Sequence, residues 1–168
     1  MLLIKYDKID STQDLARELS SKIYGDFVVM ADEQLSGRGR RVRDWYSPKG
    51  GLWCTFCIKK INLEPEKLSQ KVAKIICKVL REETDKNFEI KPPNDILYHG
   101  KKVCGILIEN LKKRTLIGIG INTNLKKEIF PKNLREKIDT LYEITGKFYD
   151  NLAIVEKIYD IICRELLS

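Results

Sequence analysis

At 168 residues, 43% of them hydrophobic, the chain can bury one core without metal or disulfide staples, and it reads as a single domain over residues 1–168. No run approaches the ~20 apolar residues that span a bilayer and the N-terminus lacks a leader pattern, which argues against a membrane protein and for a cytoplasmic one. The formal charge of +7, from 31 basic and 24 acidic residues spread along the chain, permits a polyanionic partner without requiring one.

In chain order, Asp10-Ser11-Thr12-Gln13-Asp14 opens a helical pattern carried by Leu15, Leu19 and Ile23, and the Ser11 to Asp14 interval resembles a capping box. Phe27–Ala31 and Leu52–Ile58 are apolar, β-prone runs, and Ser36-Gly37-Arg38-Gly39-Arg40-Arg41 lies between them. A second helix follows Pro65, with Leu68, Val72, Ile75, Ile76, Val79 and Leu80 on one face, and stops near Thr84-Asp85-Lys86. Phe88–Lys91 is a short strand halted by Pro92-Pro93, and Ile96–Tyr98 turns through His99-Gly100 into Val103–Ile108 as a hairpin. Thr115–Asn122 is a further strand, in which Gly118 and Gly120 mark a close approach of backbone to a ligand or a neighbouring strand. Leu152 to Leu166 has helical spacing. Because the β runs are joined mostly by turns, the class expected is α+β, a mixed and largely antiparallel sheet with helices on one side.

Five cysteines are an odd number and most lie in apolar runs, so they read as reduced, buried thiols. Cys54 and Cys57 form a C-x-x-C, but no second pair and a single histidine, His99, are available to complete a zinc site. On an alternating strand the two point to opposite faces.

Two clusters carry chemistry. The first is the loop, with three guanidinium groups and two glycines in six residues. Glycine lets backbone N–H groups approach a ligand and arginine offers a planar fork for carboxylate or phosphate oxygens, so the loop suits an anion. With no obvious acidic partner nearby, these arginines repel one another, and ligand binding is expected to order the loop. The second cluster is Lys91-Pro92-Pro93-Asn94-Asp95 followed by Gly100 to Glu109, which gathers basic, amide and carboxylate groups around one hairpin. Asn94 and Asp95 could hold phosphate oxygens or a magnesium ion. Read as residues alone, Ser11 can be a helix cap, Trp45 a core residue and Asn94-Asp95 a turn.

Taken together, Asp10-Ser11-Thr12, Gln34 with Gly37 to Arg41, Trp45-Tyr46-Ser47-Pro48, Lys91 to Asp95 and Lys102 to Glu109 resemble, in this order, the motifs of the catalytic domain of biotin protein ligases. The resemblance covers roughly residues 8 to 124 and implies a fold like that of class II aminoacyl-tRNA synthetases. It implies a two-step ligase that joins biotin and ATP, with Mg²⁺, to biotinyl-5′-AMP and then passes biotin to a lysine of a biotin carboxyl carrier protein. By that carry-over Ser11, Thr12, Gln13, Gln34, Gly37, Gly39 and Gly105 belong to the biotin pocket. Arg38, Arg40 and Arg41 close over the biotin carboxylate and the phosphates. Lys102 neutralises that carboxylate, Trp45 is an adenine platform, Lys91 and Asn94 address the triphosphate, and Asn122 contacts the nucleotide. Asn94 and Asp95 would hold the metal. Asp95, the only carboxylate of its cluster in sequence, would accept a proton from the acceptor lysine, which places it with Arg40 and Lys102 as catalytic.

The chain departs from the pattern at Pro92, where tryptophan is usual, and at Val42, where a small residue is common. Nothing before Ile9 would form a DNA-binding winged helix and no SH3-like domain follows, so DNA binding is not expected. A homodimer through an exposed sheet edge is. The related lipoate and octanoate ligases and, more distantly, a basic nucleic-acid-binding module are the alternatives.

Overall fold

The computed structural model describes residues 1–167, Val42 by its backbone alone, so the side-chain departure read at Val42 lies outside the described residues. Seven strands form one sheet: β1 (Leu2–Ile9), β2 (Phe27–Gln34), β3 (Leu52–Lys59), β4 (Glu89–Lys91), β5 (Asp95–Tyr98), β6 (Lys101–Asn110) and β7 (Arg114–Ile121), in the spatial order β1-β2-β3-β7-β6-β5-β4. β1 pairs parallel to β2 and every other pair is antiparallel. The helices are α1 (Thr12–Leu19), α2 (Pro65–Thr84), two short ones, α3 (Lys132–Arg135) and α4 (Leu141–Thr145), and α5 (Asn151–Leu166).

Side-chain parity on the strands divides the sheet into two faces. Cys54, Phe56 and Ile58 on β3, Ile117, Ile119 and Ile121 on β7, and Ile106 on β6 join α2 and α5 in the main core. α2 starts with Pro65 at its first turn and ends at Asp85 in the left-handed region, and Leu68, Val72, Ile76, Val79 and Leu80 are fully buried against the sheet. Each such side chain stabilises the fold by about 1.5–3 kcal/mol relative to exposure. On the opposite face Ala16 of α1 packs on Phe27, Val29, Cys57 and Leu116. Helices therefore cover both faces, which corrects the expectation of one side; the reason is that β1, α1 and β2 form a parallel crossover unit. β1 escapes the sequence reading because it is an edge strand exposed along most of its length, so no alternation shows.

α1 stops at Leu19, before the predicted Ile23, although Ile23 still packs against the same cluster. Only half of the capping box forms: Ser11 Oγ accepts from Asp14 N at 3.3 Å, while the Asp14 carboxylate turns to Arg17 and Arg38. The hairpin turn at His99-Gly100 has positive φ at both residues, the geometry that matches strand twist. Cys54 and Cys57 do face opposite sides of β3, and among the described residues none of the five cysteines is in a disulfide. Burial pushes the Cys57 and Cys77 thiols up to about 11. Trp53 is fully buried with its Nε1 donating to Pro48 O at 3.0 Å. Among the described residues no helix is long and apolar enough to cross a membrane.

Candidate active site

Beside α1, the sheet face that bears Thr55 is left open by what its strands lack. The register sets Thr55 opposite Gly118 and Trp53 opposite Gly120 on β7, and on β6 Leu107 opposite Gly118 and Gly105 opposite Gly120. A Cβ on Gly118 would stand 2.5 Å from Gln13 Oε1, and one on Gly120 2.5 Å from Trp45 Nε1. What approaches the backbone closely at these glycines is thus a pair of side chains that frame a cleft. Its volume is about 620 Å³, inside the range of sites that hold cofactor-sized ligands.

One end of the cleft is neutral. Thr12 donates from its backbone N and its hydroxyl to Gln34 Oε1 at 2.8 and 2.9 Å, and its hydroxyl lies 2.9 Å from that of Thr55. Thr55 donates to Gln13 Oε1 at 3.2 Å, and Gln34 Nε2 donates to Ser47 Oγ at 2.9 Å. Ser11, Thr12 and Gln13 are buried here because α1 begins at this point and lays its first turn on the sheet.

The other end is cationic. The arginine loop folds back on itself, with Trp45 N bonded to Gly37 O at 2.8 Å, Gly39 N to Arg43 O at 2.7 Å, and Arg41 in the left-handed region at φ 56°. Arg38 Nε pairs with Asp14 at 2.8 Å, and Arg40 donates to Asn94 Oδ1 at 3.3 Å and pairs with Glu66 at 3.4 Å. Arg38 and Arg40 therefore have acidic partners, contrary to expectation, because Asp14 and Glu66 come from α1 and α2, distant in sequence. Lys102 Nζ pairs with Asp95 at 2.8 Å and lies 4.8 Å from the centre of the Trp45 ring. Nor is Asp95 the only carboxylate at the cleft: Asp44 and Glu66 also line it.

Of the residues singled out in sequence, Ser11, Thr12, Gln13, Gln34, Arg38, Gly39, Arg40, Arg41, Trp45, Asn94, Asp95, Lys102 and Gly105 line this one cleft. Three others stand off it. Gly37 is buried beneath the loop, where a Cβ would meet Trp45 O and Ser47 Oγ. Lys91 is exposed on β4. Asn122 is buried one layer behind, its Nδ2 donating to Asp139 O at 3.1 Å and to Lys102 O at 3.4 Å, with Oδ1 unpartnered among the described residues. In this position Asn122 holds the backbone of Lys102. Sequence reasoning missed Thr55, whose signal is a lone hydroxyl in the apolar run Leu52–Ile58. It also missed Glu66, whose place only the packing of α2 reveals.

Asn94 Oδ1 faces Arg40, Asn94 Nδ2 donates to Ile106 O at 2.9 Å, and Asp95 is held by Lys102. Among the described residues no group of three His, Cys, Asp or Glu could hold a metal ion. These donors do not form a resident metal site, but a carboxylate with an amide oxygen suits a cation carried on phosphates.

A model of the biotin/lipoate A/B protein ligase family matches residues 6–125. The chain is 34% identical over 173 residues to the bifunctional ligase/repressor BirA of Bacillus subtilis, covering 97% of this chain and 52% of that protein. It thus spans about half the length of the curated relatives it matches. Among solved structures, the biotin protein ligase from Aquifex aeolicus in complex with biotin and ATP superposes with a TM-score of 0.84 at 34% identity, covering 97% of this chain and 69% of that one. The biotin protein ligase from Leishmania major in complex with biotinyl-5-AMP gives 0.83 at 26% identity, covering 98% and 76%. The mixed sheet with flanking helices is the class II aminoacyl-tRNA synthetase-like fold of these enzymes. The matched segment contains every cleft residue named above, and the chain belongs to the biotin/lipoate A/B protein ligase family.

Proposed function

We propose that this chain activates biotin with ATP and transfers it to a lysine of a biotin carboxyl carrier protein. The observation that carries the reading is the division of one cleft into a neutral, hydrogen-bonding end around Thr12, Gln13, Gln34 and Thr55 and a cationic end around Arg38, Arg40 and Lys102. Biotin has the same two parts, an uncharged ureido head and a carboxylate, and ATP adds the polyanion.

In the first step a carboxylate oxygen of biotin bonds to the α-phosphorus, the bond to the bridging oxygen breaks, and pyrophosphate leaves. No enzyme nucleophile is needed, so the task is to hold two anions together, which positioned cations do. Lys102 would exchange Asp95 for the biotin carboxylate, and Arg38 and Arg40 would exchange Asp14 and Glu66 for phosphate oxygens. Trp45, whose ring lies close against Gly105 and Gly120, offers a face for the adenine. A Mg²⁺ ion arriving on the triphosphate would neutralise phosphate charge, and Asn94 and Asp95 are the protein oxygens that would hold it. In the second step the acceptor amine attacks the acyl carbon, AMP leaves, and Asp95, released from Lys102, takes the proton.

Cysteines that form no disulfide among the described residues accord with a reducing compartment such as the cytoplasm. The open edge of β1 accords with a homodimer. The test is biotin-dependent ATP–pyrophosphate exchange, run beside lipoate and octanoate. Exchange with biotin alone is expected; equal use of lipoate would move the reading to an acyl ligase, and no exchange with any acid would end it. For Asp95, transfer from preformed adenylate by Asp95→Asn at the wild-type rate would remove its assigned role.

A further inference from the structure

Glu109 closes the motif that begins at Lys102, yet it does not line the cleft. Arg17 grips it with two short bonds, Nε to Oε1 and Nη2 to Oε2, both 2.6 Å, and uses its remaining nitrogen on Asp14 at 2.7 Å. Oε2 also accepts from Gln13 Nε2 at 3.5 Å. Gln13 is buried, lying over the bare backbone of Gly118, and its amide bonds to Glu109 on one side and Thr55 on the other.

An ionised carboxylate accepts hydrogen bonds and donates none. The Arg17 guanidinium holds the Glu109 carboxyl below the usual carboxylate range, so the group stays ionised. The Gln13 amide then has one orientation, NH₂ toward Glu109 and oxygen toward Thr55. That oxygen takes the single hydroxyl proton of Thr55. The proton of Thr12 has two acceptors in reach, Gln34 Oε1 and Thr55 Oγ1, each at 2.9 Å. Both hydroxyl protons are consumed inside the wall, and the oxygens can offer the cleft only lone pairs.

We infer that Glu109 is a positioning residue that, through Gln13 and Thr55, makes the neutral end of the cleft an acceptor surface, selecting head groups that donate N–H over those that cannot. A cyclic urea donates two such protons, whereas a dithiolane or a plain alkyl chain donates none. The inference rests on the proposed biotin ligase activity and names what would let the same fold tell biotin from lipoate. Without Glu109 the Gln13 amide could turn, give its NH₂ to Thr55, and free a hydroxyl proton that repels an N–H donor.

The experiment measures exchange kinetics for wild type, Glu109→Gln, Thr55→Val and the double variant, with biotin and ATP varied separately. In Glu109→Gln, whose amide accepts either orientation of Gln13, KM for biotin should rise about tenfold while kcat and KM for ATP stay within about twofold. In the Thr55→Val background the same change should add nothing further to KM for biotin. An unmoved biotin KM, additive losses in the double variant, or equal losses for biotin and ATP would each overturn the inference. A wild type without biotin-dependent exchange would overturn the activity itself and this inference with it, a result distinct from an active wild type with an indifferent variant. Should Glu109→Gln not fold, Gln13→Leu keeps the Arg17–Glu109 pair and must show the same loss confined to biotin.

Discussion

On β3, Cys54, Phe56 and Ile58 point into a continuous apolar core under α2 and α5, while Trp53, Thr55 and Cys57 point the other way, toward Trp45, the cleft and α1 in turn. The first face is a sealed layer in which each side chain contributes through area and fit. The second is three short territories, of which the middle one carries a hydroxyl, bare glycines and carboxylate-paired cations where a core would carry methyl groups. The same strands thus separate stability from chemistry by parity alone, and substitutions one residue apart should fail in different ways.

The largest effect expected lies on the sealed face. Phe56, fully buried and stacked on Tyr159 with ring centres 6.0 Å apart, should cost about 3–5 kcal/mol as Phe56→Ala in urea unfolding, with kcat of the folded fraction unchanged. A loss of activity per folded molecule would break the division between the faces. Next, Lys102→Ala should lower exchange by about 10²–10³-fold, with a melting temperature close to wild type because the ion pair to Asp95, its side chains 29% and 25% exposed, is partly screened by solvent. Gly120→Ala sharpens the comparison further. Its methyl group takes the space of the Trp45 indole, so KM for ATP should rise by about ten- to a hundredfold if the indole carries a base stack, with a shift in tryptophan emission as the check. The smallest effect is on pH dependence. The Glu109 carboxyl sits below its ordinary value of 4.5 because Arg17 hydrogen-bonds its charged form, so its contribution to stability is complete above 4.5 and fades as pH falls through the lower folded value. Urea midpoints measured down through that range should fall more steeply for wild type than for Glu109→Gln.

Much of this was legible residue by residue. The spacing of Leu68 to Leu80 displays α2, and the glycines at 118 and 120 announce a close approach, because helix period and missing side chains are local facts. What escaped was relational. β1 hides because an exposed edge strand needs no alternation, and its parallel partner lies beyond α1. The counter-charges of the arginine loop hide because Asp14 and Glu66 flank it from two helices whose packing the sequence does not display. Asn122 adds a relation its motif position does not display: it is buried, and its amide holds the backbone of Lys102.

The pairing of β3 with β7 joins residues 52–59 to residues 114–121, with α2 and three further strands, β4, β5 and β6, between them in the chain. Thr55 and Gly118 become neighbours only through that closure, so the floor of the cleft is among the last surfaces a growing chain can complete. A nascent chain that has not yet exposed β7 carries Thr55 without Gly118 opposite it and Trp53 without Gly120. Ligand binding at this cleft therefore reports on closure of the whole sheet, and a ligand that fills it acts as a clamp between segments far apart in synthesis, slowing their separation once they have met.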